Sequence, residues 1–290
     1  MTAQPAGGTA KMAARETSSN PGLDWAAWRA QPISPTCMPL KPLVQALPQD
    51  RWPETPDWSA CSARHGLKNA RGLPVSFVPP ANPATSALAF EQRIYEHGEV
   101  ETRAATWHDA FHACTWLTFP LTKARINQLH IEDGLDNTPN RRSVLRNILT
   151  LIDEGGLIVA SSNPALLDLL RGFQWHTLFW QQRAAVQREM DFVIFGHALY
   201  ERALAMHYGS TGRGILLDVA ADYFAWDMPQ RVRHLDARLA ALLDGPAQLT
   251  STSLLHPVPI KGIPGWDAAN QAEDYYRDTQ QFRAGRRKVA

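Results

Sequence analysis

The stretch from residue 143 to 162, SVLRNILTLIDEGGLIVASS, constrains the fold more than any other part of the chain. Its first half repeats apolar side chains every three or four residues, which is the period of a helix with one buried face. The apolar residues of that face are Val144, Leu145, Ile148, Leu149, Leu151 and Ile152. Two glycines end the pattern, and the apolar run LIVASS that follows is typical of a short strand. The fold therefore contains both helices and strands.

Further helices are expected along the rest of the chain, and they outnumber the strands. The pattern predicts helices near 90–97, 106–119, 121–131, 163–173, 175–190, 191–207 and 228–244, and strands near 75–78, 157–162 and 213–220. Thr106 and Asn163 are suitable N-caps, and Gly98 is a suitable C-cap. The fold class predicted is mainly α with a few short strands, an irregular α+β domain over residues 23–290.

Both ends of this domain are rich in proline and aromatic residues. We expect residues 23–90 and the last 40 residues to be extended segments and turns wrapped over a core, with tryptophan rings as anchors. Residues 1–22 contain mostly small and polar residues and no apolar run of signal-peptide length. They predict a disordered leader rather than an export signal.

Composition argues against several classes of function. The 29 basic and 28 acidic residues leave a net charge of +1, which gives no electrostatic reason to expect a nucleic acid or a membrane surface as partner. No stretch of 18 apolar residues occurs, which argues against a membrane-spanning helix. The three cysteines, Cys37, Cys61 and Cys114, form no CxxC pair, and their odd number fits a reducing compartment. We therefore expect a cytoplasmic protein without a cysteine-bound zinc ion.

The sequence WHDAFH, residues 107–112, carries the first candidate site. His108 and His112 are four residues apart, so they lie on one face of a helix, as in helices that hold zinc. His197 and Glu201 repeat the spacing on a second apolar segment, and Gly196 before them permits close approach to a neighbour. These four residues predict a site for a divalent metal such as zinc, with Asp109 as an orienting group or base.

The same residues also allow a reading without metal. Polar side chains on apolar helices need partners, and a buried hydrogen-bonded network would satisfy them equally well. The two pairs are far apart along the chain, and the sequence alone does not show that they meet. An open cavity at His108 would favour an enzyme, whereas a sealed and fully paired cluster would favour a scaffold.

A second candidate site lies at the two ends of the helix that follows residue 140. With Asn140 as its cap, Arg141 and Arg142 would stand in the first turn, where cations oppose the helix dipole. An internal carboxylate would offset this cost, and so would a bound phosphate or carboxylate. Asp153 and Glu154 at the other end are also disfavoured locally, so both ends indicate tertiary partners or a function.

Five segments in order resemble the bacterial family of unknown function DUF3025 over about residues 70–285. They are EQRIYEHGEVETR, WHDAFHACTWLTFPLTKARIN, NRRSVLRNILTLIDEGGLIVAS, FGHALYERAL and IPGWDAANQAEDYYRDTQQFR. The resemblance implies no activity, because none is assigned to the family. Relatives often carry asparagine at the position of His112, which implies that His112 is a dispensable ligand or no ligand.

Two hypotheses follow. The first is a metal-assisted hydrolase or other enzyme for a small molecule or anion, in which Arg141 and Arg142 clamp the substrate. The second is a non-catalytic binding or scaffold protein whose polar cluster fixes the helices.

Overall fold

The structure, a computed structural model, describes residues 23–81, 89–134 and 143–285. In these ranges helices are interspersed with strands, and the strands form two small sheets. The helices are α1 Trp25–Arg29, α2 Lys41–Gln45, α3 Thr55–His65, α4 Phe90–His97, α5 Trp107–Thr118, α6 Pro120–Glu132, α7 Val144–Gly155, α8 Pro164–Arg171, α9 Arg183–Glu189, α10 His197–Ala203 and α11 Met228–Leu243. The strands are β1 Ser76–Val78, β2 Glu99–Glu101, β3 Gly156–Ser161, β4 Met190–Ile194, β5 Thr211–Asp218 and β6 His256–Pro259. The predicted α+β class is confirmed, and the predicted leader, residues 1–22, lies outside these ranges. None of the described helices has both the length and the apolar character that a membrane crossing requires.

The larger sheet is built around β3, in the strand order β4-β3-β5-β6. β3 pairs antiparallel with β4 and parallel with β5, and all six of its residues are buried. Leu157 and Val159 belong to one apolar cluster, and Ile158 and Ala160 belong to another. Helices therefore cover both faces of this strand, as its continuous apolar sequence requires.

Several predicted elements are confirmed with their ends. Thr106 caps α5 by accepting a hydrogen bond from the backbone N–H of Asp109, and Asn163 caps α8 in the same way through Ala165. Gly98 ends α4 in the left-handed conformation. Pro120 stops α5 as predicted and also begins α6, because its fixed φ suits a first helical turn.

The prediction of one helix over 191–207 is wrong. Its first part, Met190–Ile194, is the strand β4, and α10 begins only at His197. Phe192, Val193 and Ile194 are aromatic or β-branched, and antiparallel pairing with β3 decides their conformation. The local helical pattern could not reveal this partner strand.

The expectation of extended structure over 23–90 is also wrong in part, because α1, α2 and α3 lie there. Pro42 and Pro56 lie in the first turns of α2 and α3. The backbone N–H that proline lacks would have no partner within the helix at these positions. Prolines that suggested irregular chain therefore begin helices. The wrapping of both ends over the core stays a prediction, although the strand near residue 75 is confirmed as β1.

Tryptophan rings join the N-terminal helices to the start of α5. Trp25 stacks on Trp107 with ring centroids 5.8 Å apart, and Trp28 meets Trp107 edge-on at 5.3 Å. The indole N–H of Trp107 donates to the carbonyl of Leu23 at 2.9 Å. This packing fixes the first turn of α5, which carries His108.

The helix α7 begins later than predicted. Its N-cap is Ser143, whose hydroxyl accepts from the backbone N–H of Arg146 at 2.9 Å. The prediction that Asn140 caps this helix is therefore wrong, since a serine hydroxyl stands directly before the first helical residue. Asn140, Arg141 and Arg142 themselves lie outside the described residues.

The start of α6 is capped by a side chain from α11. The Asp236 carboxylate accepts from the backbone N–H groups of Leu121 at 3.0 Å and Thr122 at 2.9 Å. No side chain next to the helix caps it. Asp236 is only 3% exposed, so its oxygens replace water at the end of this helix.

We expect Asp236→Ala to lower the free energy of unfolding by about 2–3 kcal/mol, because it strands two backbone donors without an acceptor. Urea denaturation followed by circular dichroism measures the loss. Arg238→Ala, on the exposed side of the same helix, is the control and should change the free energy by less than about 0.5 kcal/mol. Equal effects of the two substitutions would contradict the capping role.

Candidate metal centre

The structure brings the two predicted histidine segments together. The ring of His197, the first residue of α10, lies 4.5 Å from the ring of His108 and 4.8 Å from the ring of His112, measured between centroids. Both α5 residues are on the face that packs against α10, as their spacing of four predicts. The two segments, whose meeting the sequence alone did not show, therefore face each other in the structure.

Gly196 makes this approach possible. A Cβ atom on Gly196 would lie 2.5 Å from the backbone nitrogen of Gly156 and 2.6 Å from the carbonyl oxygen of Glu154. The backbone before His197 thus rests directly on the end of α7. That contact carries His197 to Asp153 and Glu154, the two acidic residues of the last turn of α7.

A first group of ligand atoms consists of His108, His197 and Glu154. The Nε2 atoms of the two histidines are 3.1 Å apart, and Glu154 Oε2 is 3.6 Å from His197 Nε2. Behind the first histidine, His108 Nδ1 donates to Glu201 Oε2 at 3.2 Å. Glu201 therefore lies on the nitrogen of His108 that faces away from the group.

A second group consists of His112, Asp153 and, again, His197. The ammonium of Lys123 donates to His112 Nε2 at 3.0 Å and to Asp153 Oδ1 at 2.5 Å. Lys123 is 3% exposed, and sequence reasoning missed it because lysine is rarely buried. The signal that could have revealed it is the acidic C-terminus of α7, which needs a cation nearby.

Burial and neighbouring charges set the protonation of these groups. Burial lowers the pKa of His197 to about 3, with Lys123 adding to the effect, and burial likewise holds the pKa of His112 well below its usual value. Both rings are therefore neutral at pH 7, as metal ligands must be. Glu201 raises the pKa of His108 through its hydrogen bond.

The carboxylates of the α7 end differ from each other. Burial acts to raise the pKa of Asp153, but Lys123 and the nearby histidines outweigh it and hold that pKa below its ordinary value. The Asp153 carboxylate is therefore ionised at neutral pH. Burial raises the pKa of Glu154, whose side chain remains 44% exposed.

These groups lie at the wall of a cavity of about 500 Å³. His108, Glu154 and His197 line it, together with Arg103 and Arg146. The His108 side chain is 27% exposed, so solvent reaches the first group. An open cavity at His108 was the feature expected of an enzyme.

Asp109 also lines the cavity, but its oxygens are occupied. The carboxylate accepts from the backbone N–H of Arg103 at 2.6 Å, from its Nε at 3.0 Å and from its Nη2 at 2.7 Å. Asp109 therefore positions Arg103, and a role as base stays a prediction. The roles predicted for Asn140, Arg141 and Arg142 fall on residues outside the described part of the chain.

Comparison with protein families identifies the domain to which most of the chain belongs. A family described as a protein of unknown function, DUF3025, matches residues 75–286. The chain belongs to the DUF3025 family. No curated protein and no solved structure matches this DUF3025 chain. The histidines and acidic residues of both groups lie within the matched region, so the candidate centre is part of the DUF3025 domain.

We expect Gly196→Ala to displace His197, because the added methyl group would overlap the backbone of Gly156 and Glu154. The free energy of unfolding should fall by about 1–3 kcal/mol, the usual cost of overpacking. Thermal and urea denaturation measure it. The matched control is Gly155→Ala, whose Cβ would meet only side-chain atoms of Arg213 and Arg202, at 3.3 and 3.4 Å. An effect as large in the control would contradict the role of the contact at Gly196.

Proposed function

We propose that this DUF3025 protein is a metal-dependent enzyme that hydrolyses a small anionic molecule. One divalent ion, such as zinc, would be held by His108, His197 and Glu154. The observation that supports this most strongly is the pair of imidazole Nε2 atoms 3.1 Å apart, with a carboxylate beside them, at the wall of an open cavity.

The spacing of the three atoms fits an ion. Ligand atoms about 2.0–2.1 Å from a tetrahedral zinc ion lie about 3.3–3.4 Å from each other. The separations of 3.1 Å between the two nitrogens and 3.6 Å between His197 Nε2 and Glu154 Oε2 bracket that value. The third pair, His108 and Glu154, has its ligand atoms within 4.8 Å of each other.

The surroundings of both histidines support the same set of ligands. His108 Nδ1 faces Glu201, and His197 Nδ1 lies 3.8 Å from Asp153 Oδ2. Histidines that bind metal usually direct the other ring nitrogen to a carboxylate, which orients the ring and raises its basicity. In this arrangement Glu201 orients the ligand His108 and is not itself a ligand, and His112 belongs to the second group. This differs from the set predicted from the sequence, in which all four residues bind the ion.

The chemistry follows from the number of ligands. Three protein ligands leave a position open for water, as in catalytic zinc sites, and a metal-bound water is a strong nucleophile near neutral pH. Arg103 and Arg146 face the cavity and would attract a carboxylate or phosphate on the substrate. Arg141 and Arg142 remain candidates for the same role. The cytoplasm is the proposed compartment, and the three buried cysteines are all unpaired.

The second candidate is a scaffold. It is favoured by the buried ammonium of Lys123, which already pairs with His112 and Asp153. In that case His108 as an imidazolium would donate from Nε2 to His197, and no ion would be needed. The cavity beside His108 is the reason to prefer the enzyme.

Metal content decides between the two. Untagged protein is stripped with a chelator, dialysed against zinc chloride and analysed by plasma mass spectrometry. We expect about one zinc per chain in the wild type and a loss of at least about tenfold in affinity in His108→Ala and Glu154→Gln. The control is His176→Ala, since His176 pairs with Glu273 outside the cavity. A wild type without metal, together with a strongly destabilised His108→Ala variant, would establish the scaffold instead.

Activity completes this test. Zinc-loaded and stripped protein are compared on p-nitrophenyl phosphate and p-nitrophenyl acetate, which represent anionic and neutral substrates. Hydrolysis that depends on metal and disappears in Glu154→Gln is the expected result. Stoichiometric metal without hydrolysis of either ester would leave a binding protein.

A separate prediction concerns Glu201. We expect Glu201→Gln to weaken zinc binding about 10–100-fold while leaving one zinc per chain at saturation, because Glu201 orients His108 without touching the ion. Competition with a chromophoric chelator measures the dissociation constant. Glu273→Gln, which alters a comparable histidine–carboxylate pair, should leave it unchanged. Complete loss of the zinc in Glu201→Gln would make Glu201 a direct ligand.

A further inference from the structure

The second group of ligand atoms already holds a positive charge. The Lys123 ammonium stands between His112 Nε2 at 3.0 Å and Asp153 Oδ1 at 2.5 Å. The face of the Trp116 ring lies beneath it, 5.4 Å from Nζ to the ring centroid. A nitrogen ligand, a carboxylate and an aromatic face thus surround the ammonium.

His197 connects the two groups through its two ring nitrogens. Nε2 belongs to the first group, and Nδ1 faces the second, where the nearest carboxylate oxygen is 3.8 Å away. Among the described residues Nδ1 has no hydrogen-bond partner, although His197 is only 3% exposed. His197, the Asp153 carboxylate and His112 together form a set of ligand atoms within 4.8 Å of one another, and this set points to a cation position.

We propose that Lys123 is a built-in cation which occupies a second metal position and thereby limits the centre to one ion. This inference rests on the proposed function, since it takes the first group to be the site of that ion. A divalent ion in the second position would need His112 Nε2, an oxygen of Asp153 and His197 Nδ1, whose hydrogen would be released to solvent. The ammonium takes two of these three partners itself.

The ammonium approaches the second group from the interior of the protein, because Lys123 is only 3% exposed. Lys123 arises from α6, whose first turn is held by Asp236, and its long side chain reaches Asp153 from below the cavity. It does not line the cavity, whereas the histidines and carboxylates of both groups do. Lys123 is therefore a positioning residue that neutralises Asp153 and leaves the open position on the side of His108.

The test replaces the ammonium by an uncharged side chain of similar length. Wild type, Lys123→Met and the double variant Lys123→Met/His112→Asn are stripped of metal and brought to equilibrium by dialysis against zinc chloride. Lys41→Met, at the exposed start of α2, is the control. We expect about one zinc per chain in the wild type and control, two in Lys123→Met, and one again in the double variant.

The outcomes separate this inference from the proposed function. One zinc in both the wild type and a folded Lys123→Met would overturn the inference and leave the proposed function intact. Two in the wild type would also overturn it, because the ammonium would not exclude an ion. No zinc in the wild type would overturn the proposed function, and with it the limit to one ion.

A variant of His112 keeps the inference testable where Lys123→Met does not fold. If His112 contacts only the ammonium of Lys123 and not the zinc ion, His112→Asn keeps one zinc per chain with an affinity within about threefold of the wild type. A loss of tenfold or more would show that His112 binds the resident ion and would overturn the inference. Circular dichroism of each variant establishes that it is folded.

Discussion

The candidate centre depends on one close contact, where the backbone at Gly196 touches the end of α7. This contact places a neutral, buried histidine against two acidic residues that the dipole of α7 disfavours. Charges in such a place need partners from elsewhere in the fold. Lys123 supplies one from α6 and His108 another from α5, so four helices meet at a point that none of them could stabilise alone.

Much of the site was predictable because helical spacing is a local property. The pairs His108–His112 and His197–Glu201 each have a spacing of four, which selected them as candidates, and the structure brings the two pairs together. The spacing could not show which ring nitrogen of each histidine faces which neighbouring side chain. Glu201 faces Nδ1 of His108 and not Nε2, and this depends on how α10 packs against α5, which is a tertiary property.

The parts that sequence reasoning missed share a cause, which is contact over long distances along the chain. The buried ammonium of Lys123 finds Asp153 thirty residues later. The strand Met190–Ile194 is fixed by pairing with Gly156–Ser161, and the cap of α6 comes from Asp236 in α11. In each case the local sequence favours another structure or gives no signal, and packing decides. The helices α5, α8 and α11, whose N-terminal caps are local side chains, were predicted well.

The short connection between β4 and α10 has a consequence for how this protein can evolve. Only Phe195 and Gly196 separate the last residue of the strand, paired to the centre of the sheet, from His197. An inserted or deleted residue here would rotate the ring of His197 away from both groups, because two residues are too few to absorb a change in length. Surface loops generally tolerate changes of length, but at this connection a change of length would also cost the position of the histidine.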